Sequence, residues 1–409
     1  MINEIKNIVV PKLRFPEFRN TTAWPYMNGN ELFDQISDKN HNSDLPILAI
    51  TQEHGAIPRN QIDYNVTVTD KSIESYKVVE LGDFIISLRS FQGGIEYSNY
   101  RGICSPAYII LRKKNDVVDN FFKYYFKTRI FIHDLNKNLE GIRDGKMVSY
   151  KQFSDLLLPF PPLDEQRKIA DCLSSLDELL TAQSQKLQAL KAHKKGLMQQ
   201  LFPAEGETVP KLRFAEFKNN RDWEELPLGK VAEIITGNTP STADLSYYGG
   251  NRMFVSPADI SEGRYITHTK TTLSENGYSQ TRHIKENSVL FVCIGSTIGK
   301  VAQNKYECST NQQINSLVPY EGYSSNFLYS ALEYKASNIA TIAGKQAVPI
   351  INKSLFSSVL VSFPSPEEQQ KIADCLSSLD EQISTQTEKI DALKTHKKGL
   401  MQALFPSEL

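Results

Sequence analysis

The residues of this sequence that could bind a ligand lie mainly in glycine-containing loops. One such loop, Gly295–Lys300 (GSTIGK), superficially resembles a phosphate-binding loop. A Walker A loop needs four residues between its glycines and a Ser or Thr after the lysine, whereas here three residues intervene and Val301 follows. We therefore expect no nucleotide hydrolysis. The loop either presents Thr297 and Lys300 to DNA or merely turns between strands.

Basic and amide side chains beside turns form a second group of candidates. Such side chains can reach base edges or phosphates of DNA, although a solvated surface position is the simpler interpretation for any one of them. The candidates are Arg89, Arg101, Arg143 and Lys146 in the first half of the chain and Asn238, Thr239, Arg282, Lys345 and Gln346 in the second. Gln346 takes the place of Arg143 when the halves are aligned from Gly141 and Gly344.

Motifs of a catalyst are absent from the sequence. The seven histidines show no paired metal-ligand spacing, and neither a serine elbow, an H-E-x-x-H nor the N-P-P-aromatic motif of adenine methyltransferases occurs. The five cysteines include no C-x-x-C pair, which predicts reduced thiols in a cytosolic protein. We therefore predict no catalytic residue, no cofactor and no metal site. A diffuse metal-dependent nuclease site is the one catalytic alternative that motifs leave open.

The composition is that of a globular protein with more than one domain. The 409 residues carry a formal net charge of -1, with 40% hydrophobic and 23% charged residues, and this length favours two or three domains. The first ten residues lack the apolar segment of a signal peptide, and no apolar run is long enough to span a membrane. We expect a cytoplasmic protein without a general attraction to phosphate.

An internal repeat is the strongest pattern in the chain. Residues 10–18 (VPKLRFPEF) recur at 209–217 as VPKLRFAEF, and the two tryptophans, Trp24 and Trp223, follow at the same offset of 199. Residues 160–203 align without gaps to 363–406, with 30 of 44 positions identical. The stretches between these blocks differ, and their short β-branched and aromatic runs broken by Gly, Pro and Asn predict mixed α/β domains.

The long repeat is predicted to be helical because its apolar residues advance by steps of four and three, the a/d seam of a coiled coil. Lys194 and Lys397 also fall on the seam, and Ser365-Pro366 predicts the start of the second helix. The other seam positions are Ile169, Leu173, Leu176, Leu180, Gln183, Leu187, Leu190, Leu197 and Leu201 in the first copy, and Ile372, Leu376, Leu379, Ile383, Gln386, Ile390, Leu393, Leu400 and Leu404 in the second. Gln183 and Gln386 are either tolerated polar positions or devices that fix the register.

Charge along the two helices predicts how they pair. Each copy is acidic in its N-terminal half (Asp177, Asp380) and basic at its C-terminal end (Lys195, Lys398). A parallel pair would set acid beside acid, so we expect an antiparallel pair. The LFP segment at the end of each helix then lies beside a PKLRF segment, so the same junction forms twice. Residues 201–203 and 210–214 form it through the backbone, and residues 404–406 and 11–15 form it in space. The monomer thereby gains a pseudo-two-fold axis.

These patterns predict an α+β chain, with two mixed α/β domains separated by an antiparallel two-helix coiled coil. The predicted divisions are an N-terminal segment (1–23), the first domain (24–159), the central helix (160–203), a linker that repeats the N-terminal segment (204–223), the second domain (224–362) and the C-terminal helix (363–409). The first seam spans about 50 Å at roughly 1.5 Å per residue, a little over one turn of duplex DNA.

Alternation of two divergent domains with two near-identical helices resembles the specificity subunits of type I restriction–modification enzymes. The resemblance covers nearly the whole chain. Its most specific motifs are LPFPPLDEQRKIA (158–170), VSFPSPEEQQKIA (361–373), GSTIGK and NQQIN (311–315).

The resemblance implies a non-catalytic adaptor. Each domain would be a target-recognition domain that reads one half of an asymmetric, bipartite site on double-stranded DNA. The helices would set the gap and dock two methyltransferase subunits, which in turn support motor-nuclease subunits. The alternative is a tandem coiled-coil scaffold that binds proteins and no DNA. The neighbouring genes discriminate, because a specificity subunit should be encoded beside a methyltransferase.

Charge predicts weak DNA binding by the isolated chain. Residues 24–159 carry 16 Lys and Arg against 17 Asp and Glu, and residues 224–362 carry 11 against 11. Neither domain has the basic excess that drives phosphate binding. We therefore expect partner subunits to supply the missing contacts with the DNA backbone.

Overall fold

The computed structural model describes residues 8–41, 44–62, 73–114, 116–137, 148–261, 263–344 and 348–406. The chain forms two compact units: residues 1–182 together with 390–409, and residues 183–389. Both unit boundaries fall inside long helices, because the start of one long helix and the end of the other belong to the same unit. The mixed α/β fold with a long helix between the repeated domains agrees with the sequence prediction.

Short strands form the sheets of the first unit. They are β1 (Ile8–Val9), β2 (Trp24–Asn28), β3 (Phe33–Ile36), β4 (Leu48–Thr51), β5 (Gly55–Pro58), β6 (Lys77–Val79), β7 (Phe84–Ile86), β8 (Glu96–Tyr97), β9 (Gly102–Cys104), β10 (Ile109–Lys113) and β11 (Leu157–Pro159). The main sheet has the order β3-β10-β7-β8 and is antiparallel. A second sheet has the order β1-β2-β11, and β4-β5 and β6-β9 are two-stranded.

Short helices accompany these strands in the part of the unit that the structure describes: α1 (Gly29–Leu32), α2 (Ser90–Gly93), α3 (Asp119–Tyr125), α4 (Arg129–Lys137) and α5 (Tyr150–Ser154). Helix α3 packs its aromatic face against the main sheet. Phe33, Phe84, Phe121 and Phe126 are fully buried in the resulting core, and their rings meet mostly edge to face or tilted. Burial of such large rings is a major source of core stability.

The second unit has two larger sheets. Its strands are β12 (Glu224–Pro227), β13 (Ala232–Thr236), β14 (Tyr248–Val255), β15 (Tyr265–Ile266), β16 (Thr271–Leu273), β17 (His283–Ile284), β18 (Val289–Val292), β19 (Val301–Asn304), β20 (Cys308–Thr310), β21 (Ile314–Pro319) and β22 (Leu360–Phe363). The five-stranded sheet has the order β13-β21-β18-β19-β15, the four-stranded sheet the order β16-β14-β20-β17, and β12 pairs with β22.

Two 39-residue helices, α6 (Leu163–Leu201) and α11 (Pro366–Leu404), carry the long repeat. The other helices of the second unit are α7 (Leu228–Val231), α8 (Glu275–Ser279), α9 (Ser325–Thr341) and α10 (Lys353–Ser357). As predicted, α11 starts at Pro366 behind Ser365, and both long helices end at the residue before a Phe-Pro pair.

Contacts within each unit are those that antiparallel pairing requires. In the first unit Lys397 near the end of α11 bonds to Asp177 in the first half of α6. In the second, Lys194 near the end of α6 lies 2.6 Å from Asp380 of α11, and Gln386 donates to the Gln183 side chain at 2.8 Å. The seam positions are all buried or half-buried. Regular knobs-into-holes packing along the whole seam stays a prediction.

Candidate nucleic-acid interface

The repeated blocks meet in a matched ion pair within each unit. In the first unit the Arg14 guanidinium donates to both oxygens of Glu165, at 2.7 and 2.5 Å, and both side chains are almost fully buried. In the second unit Arg213 donates to both oxygens of Glu368 at 2.9 and 2.8 Å. The PKLRF segment of each copy is thereby fixed to the start of a long helix.

Backbone contacts repeat in the same way. Leu13 N–H donates to the Ala403 carbonyl at 2.9 Å in the first unit, and Leu212 N–H donates to the Gln200 carbonyl at 2.9 Å in the second. The predicted junction therefore forms twice. In the first unit it joins segments from opposite ends of the chain, and in the second it joins neighbouring segments.

A glutamine after each of these glutamates ties the helix start to its domain. Gln166 accepts from Val118 N–H at 3.1 Å and donates to the Pro161 carbonyl at 2.8 Å. Gln369 accepts from Ser324 N–H at 3.1 Å and donates to the Pro364 carbonyl at 3.0 Å. Val118 and Ser324 are the N-cap residues of α3 and α9. The Glu-Gln pair of each repeat is thus a framework element and presents no chemistry to a ligand.

Three loops of the second unit lie at one end of the five-stranded sheet. Strand β13 ends where β21 begins (Thr236 opposite Asn315), and β18 ends opposite the same start of β21 (Val292 opposite Ile314). The loops 237–240, 293–300 and 311–313 therefore share this end, which we call the loop end of the second unit. A Cβ at Gly237 would lie 2.2 Å from the Thr310 carbonyl oxygen, so the loops approach too closely for any other residue there.

Three predicted contact residues come together at this loop end. Asn238 donates to the Gln280 carbonyl at 2.8 Å and accepts from Arg282 N–H at 2.9 Å. The Arg282 guanidinium donates to the Thr236 carbonyl at 2.6 Å, and Arg282 is otherwise exposed. The Thr239 hydroxyl donates to the Gln312 side-chain oxygen at 2.6 Å. Both ends of the Asn238 amide are therefore used to hold the loops together.

Lys300 and Thr297 lie in the GSTIGK loop at the same end. The Lys300 ammonium donates to the Ile260 carbonyl at 2.8 Å and approaches the Pro257 carbonyl at 3.4 Å. Thr297 accepts from Lys300 N–H through its backbone carbonyl at 3.2 Å, closing the turn. Both side chains lie at the loop end, and the Lys300 ammonium is already engaged by the fold.

The first unit has a corresponding loop end. Ile36 of β3 lies opposite Ile110, and Ile86 of β7 lies opposite Ile109, so the segments after β3, after β7 and before β10 share one end of the main sheet. Arg89 is exposed there as the N-cap residue of α2, and its carbonyl accepts from the Gln52 amide at 3.1 Å.

Arg101 lies at the opposite end of that sheet. It follows β8, whose Tyr97 pairs with Phe84 at the start of β7. Its side chain donates to Glu80 at 3.0 Å and is 63% exposed. The structure thus does not bring Arg89 and Arg101 together. Four other predicted contact residues, Arg143, Lys146, Lys345 and Gln346, lie outside the described residues.

The exposed tip of the loop end, Gln312, was not among the predicted contact residues. A signal was present, because Gln312 lies in the NQQIN motif that carried the family resemblance. Sequence reasoning could not rank it above its neighbours, since the pairing of β20 and β21 with distant strands decides which residue of the motif is exposed.

A buried charge network fixes the helices in the second unit. Lys194 lies 2.5 Å from Glu333 and 2.6 Å from Asp380, and Arg264 reaches Asp380 at 3.1 Å. Burial raises the pKa of Glu333, while the neighbouring Lys194 ammonium opposes that rise. Removing any one member of this network would leave an uncompensated buried charge, which is strongly destabilising.

The described residues contain no cluster of His, Cys, Asp and Glu that could hold a metal ion. Burial raises the pKa of the Cys104, Cys293 and Cys308 thiols to about 12, so these thiols are poor nucleophiles at neutral pH. Within the described chain, no helix is long and apolar enough to cross a membrane.

The chain therefore belongs to a class of two-domain proteins in which two α/β units share a repeated helical framework and differ in their loops. Residues 25–192 and 220–395 each match the family described as type I restriction modification DNA specificity domain. The chain belongs to this family.

Similar proteins include specificity subunits of type I restriction enzymes. The chain is 29% identical to the MjaIX specificity subunit of Methanocaldococcus jannaschii over 42% of its own length and 41% of that subunit. It is 23% identical to the MjaVIII specificity subunit of the same organism, over 84% of this chain and 82% of that protein. The crystal structure of the S subunit from M. genitalium has a similar fold, with a TM-score of 0.61 at 17% identity, covering 98% of this chain and 100% of that one.

Proposed function

We propose that this chain is the DNA sequence-specificity subunit of a type I restriction–modification complex, in which each α/β unit reads one half of an asymmetric, bipartite site. One observation carries the proposal: the repeated blocks make matched framework contacts, such as Arg14–Glu165 and Arg213–Glu368, while exposed polar side chains occupy the loop ends of the divergent blocks. A framework repeated in both halves, with loops that differ between them, suits a protein that must change its target without changing its partners.

The reading segments are those of the divergent blocks, residues 24–159 and 224–362, and the segments 160–203 and 363–409 are the framework helices. The framework also includes the N-terminal segment 1–23 and the linker 204–223. Within the reading segments, Arg89, Arg282 and Thr239 are described residues at a loop end. We assign Arg143, Lys146, Lys345 and Gln346 to DNA contact on their sequence positions alone.

Family membership supports DNA and methyltransferase subunits as partners of this non-catalytic chain. We propose further that two methyltransferase subunits bind its helix pair and that motor-nuclease subunits join through them. The helix pair also sets the gap between the half-sites. Because the DNA that such a subunit reads lies in the cytoplasm of a prokaryotic cell, we place the protein there.

An exchange of one reading segment tests the central claim. Residues 224–362 are replaced by the equivalent block of a relative with a different target, and the methylated motif is read by sequencing the methylome of cells that express the complex. We expect one half-site to change completely and the other to stay. The reciprocal exchange of residues 24–159 is the matched control and should change only the other half. A change of both halves in either chimera would contradict independent reading.

A titration tests the role of the partners. Neither reading segment has a basic excess, so the chain alone should hold its duplex weakly. Adding the methyltransferase subunits at one fixed salt concentration should raise the affinity for labelled duplex by at least about tenfold. Equally tight, sequence-specific binding by the chain alone would show that its recognition surface is self-sufficient.

A further inference from the structure

The loop 311–313 at the loop end of the second unit is held rigidly on both sides of its tip. Asn311 N–H donates to the Val255 carbonyl at 3.0 Å, and the Asn311 amide donates to the Gln313 side-chain oxygen at 3.0 Å. Gln313 in turn donates through its amide to the Ile294 carbonyl at 3.3 Å, and its own carbonyl accepts from Cys293 N–H at 2.8 Å. The residues on either side of Gln312 are therefore fixed to the end of β14 and to the loop 293–300.

Gln312 itself is exposed, and only the oxygen of its carboxamide is hydrogen-bonded. Its side-chain oxygen accepts from the Thr239 hydroxyl at 2.6 Å, which fixes the orientation of the carboxamide. The NH2 group of the same carboxamide has no partner among the described residues. A polar group that is preorganised by one contact and left with two donors at an exposed tip is the arrangement a recognition site requires.

We propose that Gln312 is a specificity-determining residue of the second unit and that Thr239 is its positioning residue. This inference rests on the proposed function. The fixed carboxamide donates through its NH2 group to an acceptor on a base edge in the major groove. Guanine N7 and O6, adenine N7 and thymine O4 are such acceptors, whereas cytosine presents a donor there.

Neighbouring side chains of the same chemistry are less suited to this role. The amides of Asn238 and Gln313 both donate to backbone carbonyls, and the Lys300 ammonium donates to the Ile260 carbonyl. A neutral carboxamide also contributes little to phosphate binding, which depends on Lys and Arg charge. Discrimination between bases is therefore the contribution we assign to Gln312.

Three variants test the reading role and its positioning. Q312A removes the donor and should relax the preference at one position of one half-site by about tenfold. Q312E keeps the shape and the contact with Thr239 but presents only acceptors, so the preference at that position should move toward cytosine. T239V should relax the base preference at the same position by less than Q312A does. T239S keeps the hydroxyl and should show the wild-type preference.

The readout is the methylated motif in cells that express each variant together with the methyltransferase subunit, and the thermal midpoint of each purified chain confirms folding. N219A, which truncates an exposed carboxamide of the linker 204–223, outside both reading segments and the helix pair, is the control and should leave the motif unchanged. An unchanged motif in both Q312A and Q312E, with the wild-type complex methylating a bipartite site, would overturn this inference and leave the proposed function standing. A uniform loss of methylation without a change of motif would assign Gln312 to backbone contact and also overturn it. Absence of a bipartite motif in the wild type would instead reject the proposed function itself.

Discussion

The two junctions of the repeat share the same ion pair and differ in two hydrogen bonds. In the first unit the Trp24 indole N–H donates to Glu165 at 2.8 Å. In the second unit the equivalent Trp223 indole N–H is buried with no hydrogen-bond partner in the described chain. Arg14 also donates to the Thr21 hydroxyl at 2.7 Å, and the position of Thr21 is taken by Asn220 in the second copy. The ion pair survives both changes, so it is the contact on which the junction depends.

The largest effect is expected from removing the arginine of either junction. R14M and R213M each leave a buried carboxylate without its charge partner, which costs about 3–5 kcal/mol of unfolding free energy. R213M should cost more, because Glu165 retains the Trp24 donor while Glu368 has no indole donor. Urea unfolding of the full chain, followed by tryptophan fluorescence, measures both.

Matched controls for the arginine variants lie one turn along each helix. Lys168 pairs with Glu17 and Lys371 pairs with Glu216 on the surface, each about half exposed. K168M and K371M should each change the unfolding free energy by less than about 1 kcal/mol. Equal losses from R14M and R213M would show that the indole contributes nothing to holding the carboxylate.

A smaller effect is expected from a charge on the helix seam. Leu190 and Leu393 are equivalent half-buried seam residues. L190D and L393D should each lower the unfolding free energy by about 3 kcal/mol, because an unpaired charge enters an apolar contact, and both should lose binding to the methyltransferase subunit. A189D, at an exposed neighbour, is the control. Unchanged stability and assembly in L190D would show that the seam assignment is wrong.

The smallest effect concerns the two tryptophans themselves. W24F and W223F remove similar volume, but only W24F removes a hydrogen bond to a charged acceptor, which is worth about 1.5–3 kcal/mol. W24F should therefore destabilise the chain more than W223F by about 2 kcal/mol. Urea unfolding followed by far-UV circular dichroism measures both losses, because the tryptophan that remains in each variant reports only the unit that was not changed. A larger loss in W223F would contradict the difference between the junctions.

The framework was predictable from the sequence because its signals are local. The steps of four and three along Ile169, Leu173 and Leu176 predict a helix, and the Phe-Pro pairs mark where both helices end. The antiparallel orientation followed from charges that the structure brings together, such as Lys194 and Asp380. Identity of the repeats also predicted that the junction would form twice, as the matched bonds of Leu13 and Leu212 demonstrate.

The candidate site was predictable only in part because its contacts are distant in sequence. The carbonyls that engage Lys300 belong to Pro257 and Ile260, 43 and 40 positions away. Arg101 and Arg89 lie at opposite ends of the main sheet because β8 runs antiparallel to β7, and hydrophobic periodicity does not reveal that direction. The orientation of the Gln312 carboxamide depends on a bond to Thr239, 73 positions earlier. Residue type and turn position therefore indicated several segments that lie at the loop ends and could not select the side chains within them.

The C-terminal end of α11 determines the order in which the two units can complete folding during synthesis. Leu404 and Phe405 are buried in the core of the first unit, where the Phe405 ring lies 5.2 Å from that of Phe121 and 5.8 Å from that of Tyr125. The second unit is complete in residues 183–389. A ribosome adding about 5–20 residues per second takes roughly 10–45 s between the end of the first 182 residues and Phe405. During that interval Phe121 and Tyr125 lack their contact with Phe405, so the core of the first unit is incomplete. The half of the chain that is synthesised first is therefore the half that finishes folding last.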